Sequence, residues 1–279
     1  MQNVDEILQE ALSPTQEMSD ELKARVIARV SERKENPMGK IRVFEKKSRR
    51  FSTAAAVAVV AFLLTSVSAF AAWKYLSASD VARKADDKKL EQAFSKEADW
   101  NGLETQSLGG YDISLIGLVS GKDITDHITK ADGQIVDNCT YSVVAIKKSD
   151  GKPMAKVSDD EFDNQNFLVS PYIEGYDPMR YNIYSFEGGG ATTIVEKGVQ
   201  YRIMQVENIE AFADHKVYLG VSDGTMPNRD AFSYDENTGS IARNETYTGV
   251  NALLELHLNP EKADAKEAKA IADRIINAE

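Results

Sequence analysis

The sequence predicts a mainly β fold: an antiparallel, immunoglobulin-like sandwich with flanking α-helices, preceded by one transmembrane helix and a short helical segment. Three observations carry this. Phe51 to Trp73 is a 23-residue window without a single charge. Beyond Tyr111, apolar residues recur in short runs of period two, separated by turn signals. Helical spacing is confined to the N-terminal fifty residues, the stretch just after the window, and the C-terminal end. The expected boundaries are 1–50 for the helical segment, 51–73 for the span, 74–100 for a juxtamembrane helix, 101–258 for the β-rich domain and 259–279 for a last helix.

Two short helices open the 279-residue chain. The first covers about Val4–Leu12 and is interrupted at Ser13-Pro14-Thr15. The second begins after Ser19, a suitable N-cap with Asp20 and Glu21 in the first turn, and runs to about Arg33. Along it Leu22, Val26, Ile27 and Val30 recur at helical spacing. Two helices of this size bury no core of their own, so the stripe meets a partner or lies near a membrane surface.

The uncharged window reaches roughly 34 Å at about 1.5 Å per residue, enough for a hydrocarbon core of about 30 Å. A soluble helix of that length normally keeps a polar face. On its N-terminal side stand Lys40, Arg42, Lys46, Lys47, Arg49 and Arg50 against Glu45; the ten residues after Trp73 bring only Lys74 and Arg83 as cations. Basic residues crowd the cytoplasmic side, which places the N-terminus inside and the C-terminal domain outside a cell membrane crossed once. The same basic cluster, apolar run and small residues Ala69 and Ala71 also match a secretory signal started internally at Met38. The fifty patterned residues before the run favour a span.

Charge divides at the window. Residues 1–50 carry 11 Lys+Arg against 9 Asp+Glu, and residues 74–279 carry 22 against 35. So acidic an outer domain argues against direct nucleic-acid binding. The single cysteine, Cys139, forms no internal disulfide.

After the window, Ser79 caps a helix over about Asp80–Lys96, expected to be a stalk or a cover. Strands are expected at Tyr111–Val119, Tyr141–Lys147, Phe167–Ile173, Val199–Val206, Val217–Val221, Ala231–Tyr234 and Ala252–Leu258. Asp132-Gly133, Asp150-Gly151, Lys197-Gly198, Asp223-Gly224 and Asn237-Thr238-Gly239 supply the turns. About seven such strands suggest a sandwich. Pro260 opens the final helix, to about Asn277.

Few residue patterns carry chemistry. Gly220-Val221-Ser222-Asp223-Gly224 matches the nucleophile elbow G-x-S-x-G, with His257 and Asp235 as conceivable partners. The elbow needs a helix after it, and Thr225-Met226-Pro227-Asn228 is turn chemistry, so a strand ending in a turn is the expected reading. The acidic run Ser158–Asn164 lacks calcium-loop spacing and reads as a solvated loop. Tyr172, Tyr176, Tyr181, Tyr184 and Phe186 read as core and cross-strand residues before a ligand-stacking face. Gly188-Gly189-Gly190 lies between strands, as a loop does, not between strand and helix, as a phosphate cradle does. His127, His215 and His257 are isolated. No catalytic residue, metal site or cofactor is expected.

The segments Ala11-Leu12-Ser13-Pro14 and Met18-Ser19-Asp20-Glu21-Leu22-Lys23-Ala24-Arg25-Val26-Ile27 resemble the start of membrane-bound bacterial anti-sigma factors. Farther on, Trp73-Lys74-Tyr75-Leu76-Ser77, Leu115–Asp123 and Tyr247–Leu253 resemble anti-sigma-like proteins with an extracellular domain of unknown function. The resemblance implies a regulator whose cytoplasmic helices hold an extracytoplasmic-function sigma factor away from RNA polymerase until an external signal, with or without proteolysis, releases it. Many such inhibitors carry an H-x-x-x-C-x-x-C zinc motif; residues 1–50 contain neither His nor Cys, so a zinc-free variant is expected. Leu22, Val26, Ile27 and Val30 are the expected sigma-contacting residues. The expected partners are the sigma factor, the lipid bilayer and an unidentified external signal. The alternatives are a membrane-tethered binding or structural module with no sigma-factor partner, and a tethered hydrolase using Ser222.

Overall fold

The computed structural model describes residues 75–131 and 133–278. The N-terminal helices, the apolar window and Leu22, Val26, Ile27 and Val30 lie outside the described residues. No helix among the described residues is long and apolar enough to cross a membrane.

The expected single helix over about 80–96 is two helices. Ser77, not Ser79, caps α1 (Ala78–Lys84), in a capping box with Asp80. Asp86 then adopts φ 59°, a left-handed conformation that Asp tolerates better than most residues. Asp87 accepts a hydrogen bond from the Leu90 N–H and starts α2 (Lys88–Lys96). A capping side chain in mid-run thus splits the helix.

Twelve strands follow among the described residues: β1 (Glu104–Leu108), β2 (Tyr111–Lys122), β3 (Lys130–Ala131), β4 (Gln134–Ile135), β5 (Asn138–Lys148), β6 (Phe167–Ile173), β7 (Gly190–Glu196), β8 (Val199–Glu207), β9 (Val217–Asp223), β10 (Phe232–Tyr234), β11 (Ile241–Arg243) and β12 (Asn251–Glu255). All seven expected strands form, the last stopping at Glu255. Asp264 then caps α3 (Ala265–Asn277), after a 3-10 turn at Pro260–Lys262.

The strands pair antiparallel throughout. One sheet has the order β1-β2-β5-β8-β7, a second the order β12-β9-β6; β3-β4 and β10-β11 are separate hairpins. Two of the unexpected strands, β1 and β7, are edges of the large sheet. Their side chains stay partly exposed, so Glu-Thr-Gln-Ser-Leu and Gly-Ala-Thr-Thr-Ile-Val-Glu need no clean alternation. Pro171 is tolerated because β6 is also an edge.

Four layers result. Leu115, Leu118, Val144 and Met204 of the large sheet meet Val169, Leu219 and Leu254 of the small one, with Ile271 and Ile275 of α3 closing that core. On the opposite face of the large sheet, Val81, Leu90 and Phe94 of α1 and α2 cover Ile116, Tyr141, Val143 and Ile203. The outer face of the small sheet, with Tyr172 and Leu253, is covered by Phe232 and Ile241 of the β10–β11 hairpin. Each large apolar side chain buried this way contributes about 2 kcal/mol. Covering both faces explains why β2 is buried at every position from Ile113 to Val119.

A bulge between Leu115 and Gly117 shifts the register of β2 on β5. It keeps Leu118 in the inter-sheet core and turns Val119 to the helices. At Gly117 the helical layer presses closest: a Cβ there would lie 2.4 Å from the Ala78 Cβ. The chain entering α1 is fastened to the same sheet. The Leu76 N–H donates to the Tyr201 hydroxyl (3.0 Å), and the Ser114 hydroxyl donates to that of Tyr75 (3.3 Å). The helices expected as a juxtamembrane stalk or cover are therefore a packed cover within the unit formed from residue 75 onward.

Candidate functional site

The break between α1 and α2 builds the most constructed concave site among the described residues. Asp87 is 1% exposed. Its carboxylate accepts from the Leu90 N–H (2.9 Å), the Asp126 N–H (3.0 Å) and the Thr125 hydroxyl. Asp126 answers by accepting from the N–H groups of Lys88 (2.9 Å) and Lys89 (3.2 Å). Two aspartates 39 positions apart thus clamp the start of α2 to the loop after β2. Buried carboxylates are tolerated when hydrogen-bonded in this way.

Next to the clamp is a cavity of about 260 Å³. Leu90, Tyr141 and Ile203 line it on the sheet and helix side, Thr129 and Gln205 on another, and the Gly188–Gly190 loop along its rim. The Gln205 amide donates to the Thr129 hydroxyl (2.7 Å). His127 stands at the mouth, its Nε2 3.3 Å from the Ala85 carbonyl. Gly188, at φ 64°, brings the loop against the cavity wall: a Cβ there would lie 3.1 Å from the Thr129 Cγ2.

Tyr141 is the unusual member. It is 2% exposed, and its buried hydroxyl lies against the side chains of Thr125 and Cys139. Burial first, and then the neighbouring Cys139, push its pKa above the ordinary phenol range. Burial likewise raises the Cys139 thiol to about 11. Neither group ionises near neutral pH. The polar lining of the cavity consists of hydroxyl, amide and imidazole groups and the hydrogen-bonded Asp87 carboxylate.

Two further depressions are more open in composition. A groove of about 640 Å³ is lined by Tyr176, Tyr181, Tyr234, Arg229 and Ile276. An acidic one of about 340 Å³ includes Glu187 and Glu207, which share Arg274. No group of three His, Cys, Asp or Glu among the described residues could hold a metal ion.

The residues weighed from sequence are dispersed. Ser222 is the last residue but one of β9, 1% exposed, its hydroxyl without a partner. Asp223 accepts from Tyr247 (2.8 Å) and from the Val250 N–H (2.7 Å), and Gly224 turns the chain at φ 90°. His257 instead pairs with Glu104 (3.7 Å) and stacks on Trp100, while Asp235 accepts from the Asn237 N–H in its own turn. No contact joins the three. Of the aromatic group, Tyr172, Tyr181 and Phe186 are buried, Tyr176 packs edge-on to Tyr181 and Phe212, and Tyr184 is 60% exposed. His127, isolated in sequence, is brought to the cavity mouth. Asp87, Thr125 and Gln205 had no local signal, because their partners lie tens of positions away. Comparison of the chain with known protein families, with curated proteins and with solved structures finds no match.

Proposed function

We propose that the chain is a membrane-bound regulator. Its cytoplasmic helices sequester an extracytoplasmic-function sigma factor through Leu22, Val26, Ile27 and Val30, and its outer domain senses an external signal. The observation that carries this reading is the order of parts in the sequence: an apolar helical stripe, a basic flank, 23 uncharged residues and an acidic β-rich domain. The resemblance to anti-sigma factors supplies the partner. The tie between residues 75–76 and the large sheet supports it further, because it makes the first described residues part of the outer domain. Within this reading the domain is an immunoglobulin-like sandwich, a finer description supported by its two facing antiparallel sheets.

The test is capture of the sigma factor encoded beside this gene by the full-length chain. Binding is expected, and its loss in the Val26→Asp, Val30→Asp variant, since two carboxylates in an apolar interface are left desolvated and unpaired. Undiminished capture by that variant removes the stripe assignment. No capture by the wild type moves the function to the outer domain as a tethered binding module.

A further inference from the structure

We propose that the groove between the turn after β6 and the β10–β11 hairpin binds a small zwitterion, a basic amino acid or a short basic peptide. Its ammonium group would lie among Tyr176, Tyr234 and the carboxylates of Asp177 and Glu236, and its carboxylate on Arg229. At about 640 Å³ the groove falls within the usual range of ligand sites. The chain itself fixes the walls. The Gly175 N–H donates to the Gly239 carbonyl (2.7 Å), and a Cβ on Gly239, at φ 72°, would lie 2.8 Å from the Gly175 Cα. That contact locks the hairpin, which carries Tyr234 and Glu236, onto the turn that carries Tyr176 and Asp177. The Tyr176 ring packs edge-on to Tyr181, Phe212 and His215, with centroids 4.8, 5.4 and 5.6 Å away. The aromatic wall is therefore preformed, which lowers the cost of ordering it around a ligand.

The unmet groups select the chemistry. Among the described residues the Arg229 guanidinium and the Glu236 carboxylate have no hydrogen-bond or ion-pair partner, and the hydroxyls of Tyr176 and Tyr234 have no hydrogen-bond partner. The Asp177 Oδ1 accepts from the Met179 N–H (2.9 Å), and its Oδ2 has no partner among the described residues. All five residues line the groove; Arg180 lines it too but is already engaged. Opposite charges that share a groove without pairing leave both signs for a ligand. Burial first, and then the carboxylates of Asp177, Glu236 and Asp235, raise the Tyr234 phenol above its ordinary value. Their negative field thus reaches the ring, where it adds to the attraction of an aromatic face for a cation. Ile276, 48% exposed, and Met179 give apolar contact for the methylene chain of a lysine or arginine. An uncharged sugar would leave Arg229 and Glu236 unmatched, and a simple anion would face the two carboxylates. Only a link from this site to signalling rests on the regulatory reading; binding itself does not. Failure to bind leaves sigma-factor capture standing, and the reverse also holds.

The experiment is isothermal titration calorimetry of the full-length chain with L-lysine, L-arginine and the dipeptide lysyl-alanine as probes. At least one is expected to bind at a single site. Glu236→Gln and Arg229→Gln, both at exposed positions where folding tolerates the change, are each expected to weaken it about tenfold, the equivalent of ~1.4 kcal/mol. Cadaverine, which has the ammonium groups of lysine without its carboxylate, should bind the wild type more weakly than lysine does and lose no affinity in Arg229→Gln. Absence of binding by all three probes overturns the proposal. So does binding that either substitution leaves undiminished, because one end of the ligand is then not held by the groove.

Discussion

Substituting Gly117 by Ala adds one methyl group at the tightest contact between the helical cover and the large sheet. The new Cβ would lie 2.4 Å from the Ala78 Cβ and 3.3 Å from the Phe94 ring. Phe94 can yield by a few tenths of an ångström. The Ala78 methyl is fixed to the first turn of α1 and cannot swing aside, so the helix itself must move. Overpacking of this kind costs roughly 2 kcal/mol. In a domain of about 200 residues that lowers the melting temperature by about 4–8 °C. Removing the opposing methyl with Ala78→Gly costs less than about 1 kcal/mol, because the position is the first of the helix. The two substitutions should therefore compensate: Gly117→Ala, Ala78→Gly should melt several degrees above the sum of the single effects. Thermal melts of the four proteins by circular dichroism, with amide exchange over α1 and α2, measure this coupling. Exchange in Gly117→Ala should rise first at Val81 and Ala82. Additive melting temperatures would show that the methyl–methyl contact is not what Gly117 relieves, and the account of the helix–sheet approach would fall.

Three further outcomes follow from named groups. Gln200 is fully buried and neither amide atom has a partner, so Gln200→Met should leave stability unchanged or raise it by about 1–3 kcal/mol in urea denaturation; a loss would mean that an ordered water satisfies the amide. Cys139, buried and with its thiol raised to about 11, should resist iodoacetamide in the native state at pH 8 and react in step with unfolding; prompt native labelling would contradict the packing around it. Burial alone would raise Asp112, but hydrogen bonds from Ser107, Ser149 and Lys147 outweigh it and hold its pKa below the ordinary value. A depressed carboxylate contributes stability that is complete above its unfolded pKa of about 3.9 and is lost as pH falls through the folded value. Asp112→Asn should therefore flatten the acid limb of the stability curve below about pH 4, read by denaturant midpoints against pH; an unaltered limb would sink the assignment.

Local signals in the sequence determined a good deal of this protein. The seven apolar runs became strands because each had at least one face to bury, and turn residues such as Asp223-Gly224 and Asn237-Thr238-Gly239 stand at the ends they mark. The final helix begins where Asp264 caps it, just beyond the proline that announced it. The absence of a helix after Gly220–Gly224 was legible for the same reason: turn chemistry acts within a few residues. Sheet order was not legible. Antiparallel pairing of β5 with β8 rather than with a sequential neighbour depends on which apolar faces meet, and many partners satisfy an alternating pattern equally well. The weak edge strands β1 and β7 were hidden because an edge needs a neighbour more than a hydrophobic pattern. The split of the helix turned on Asp87, whose Oδ1 caps α2 while also accepting from the Asp126 N–H, and whose other oxygen accepts from the Thr125 hydroxyl; both partners arrive from beyond β2. The cavity is the extreme case. Tyr141, Gln205, Thr129 and the Gly188–Gly190 loop share no spacing, and only the closure of helices, sheet and hairpin brings their polar atoms to one place.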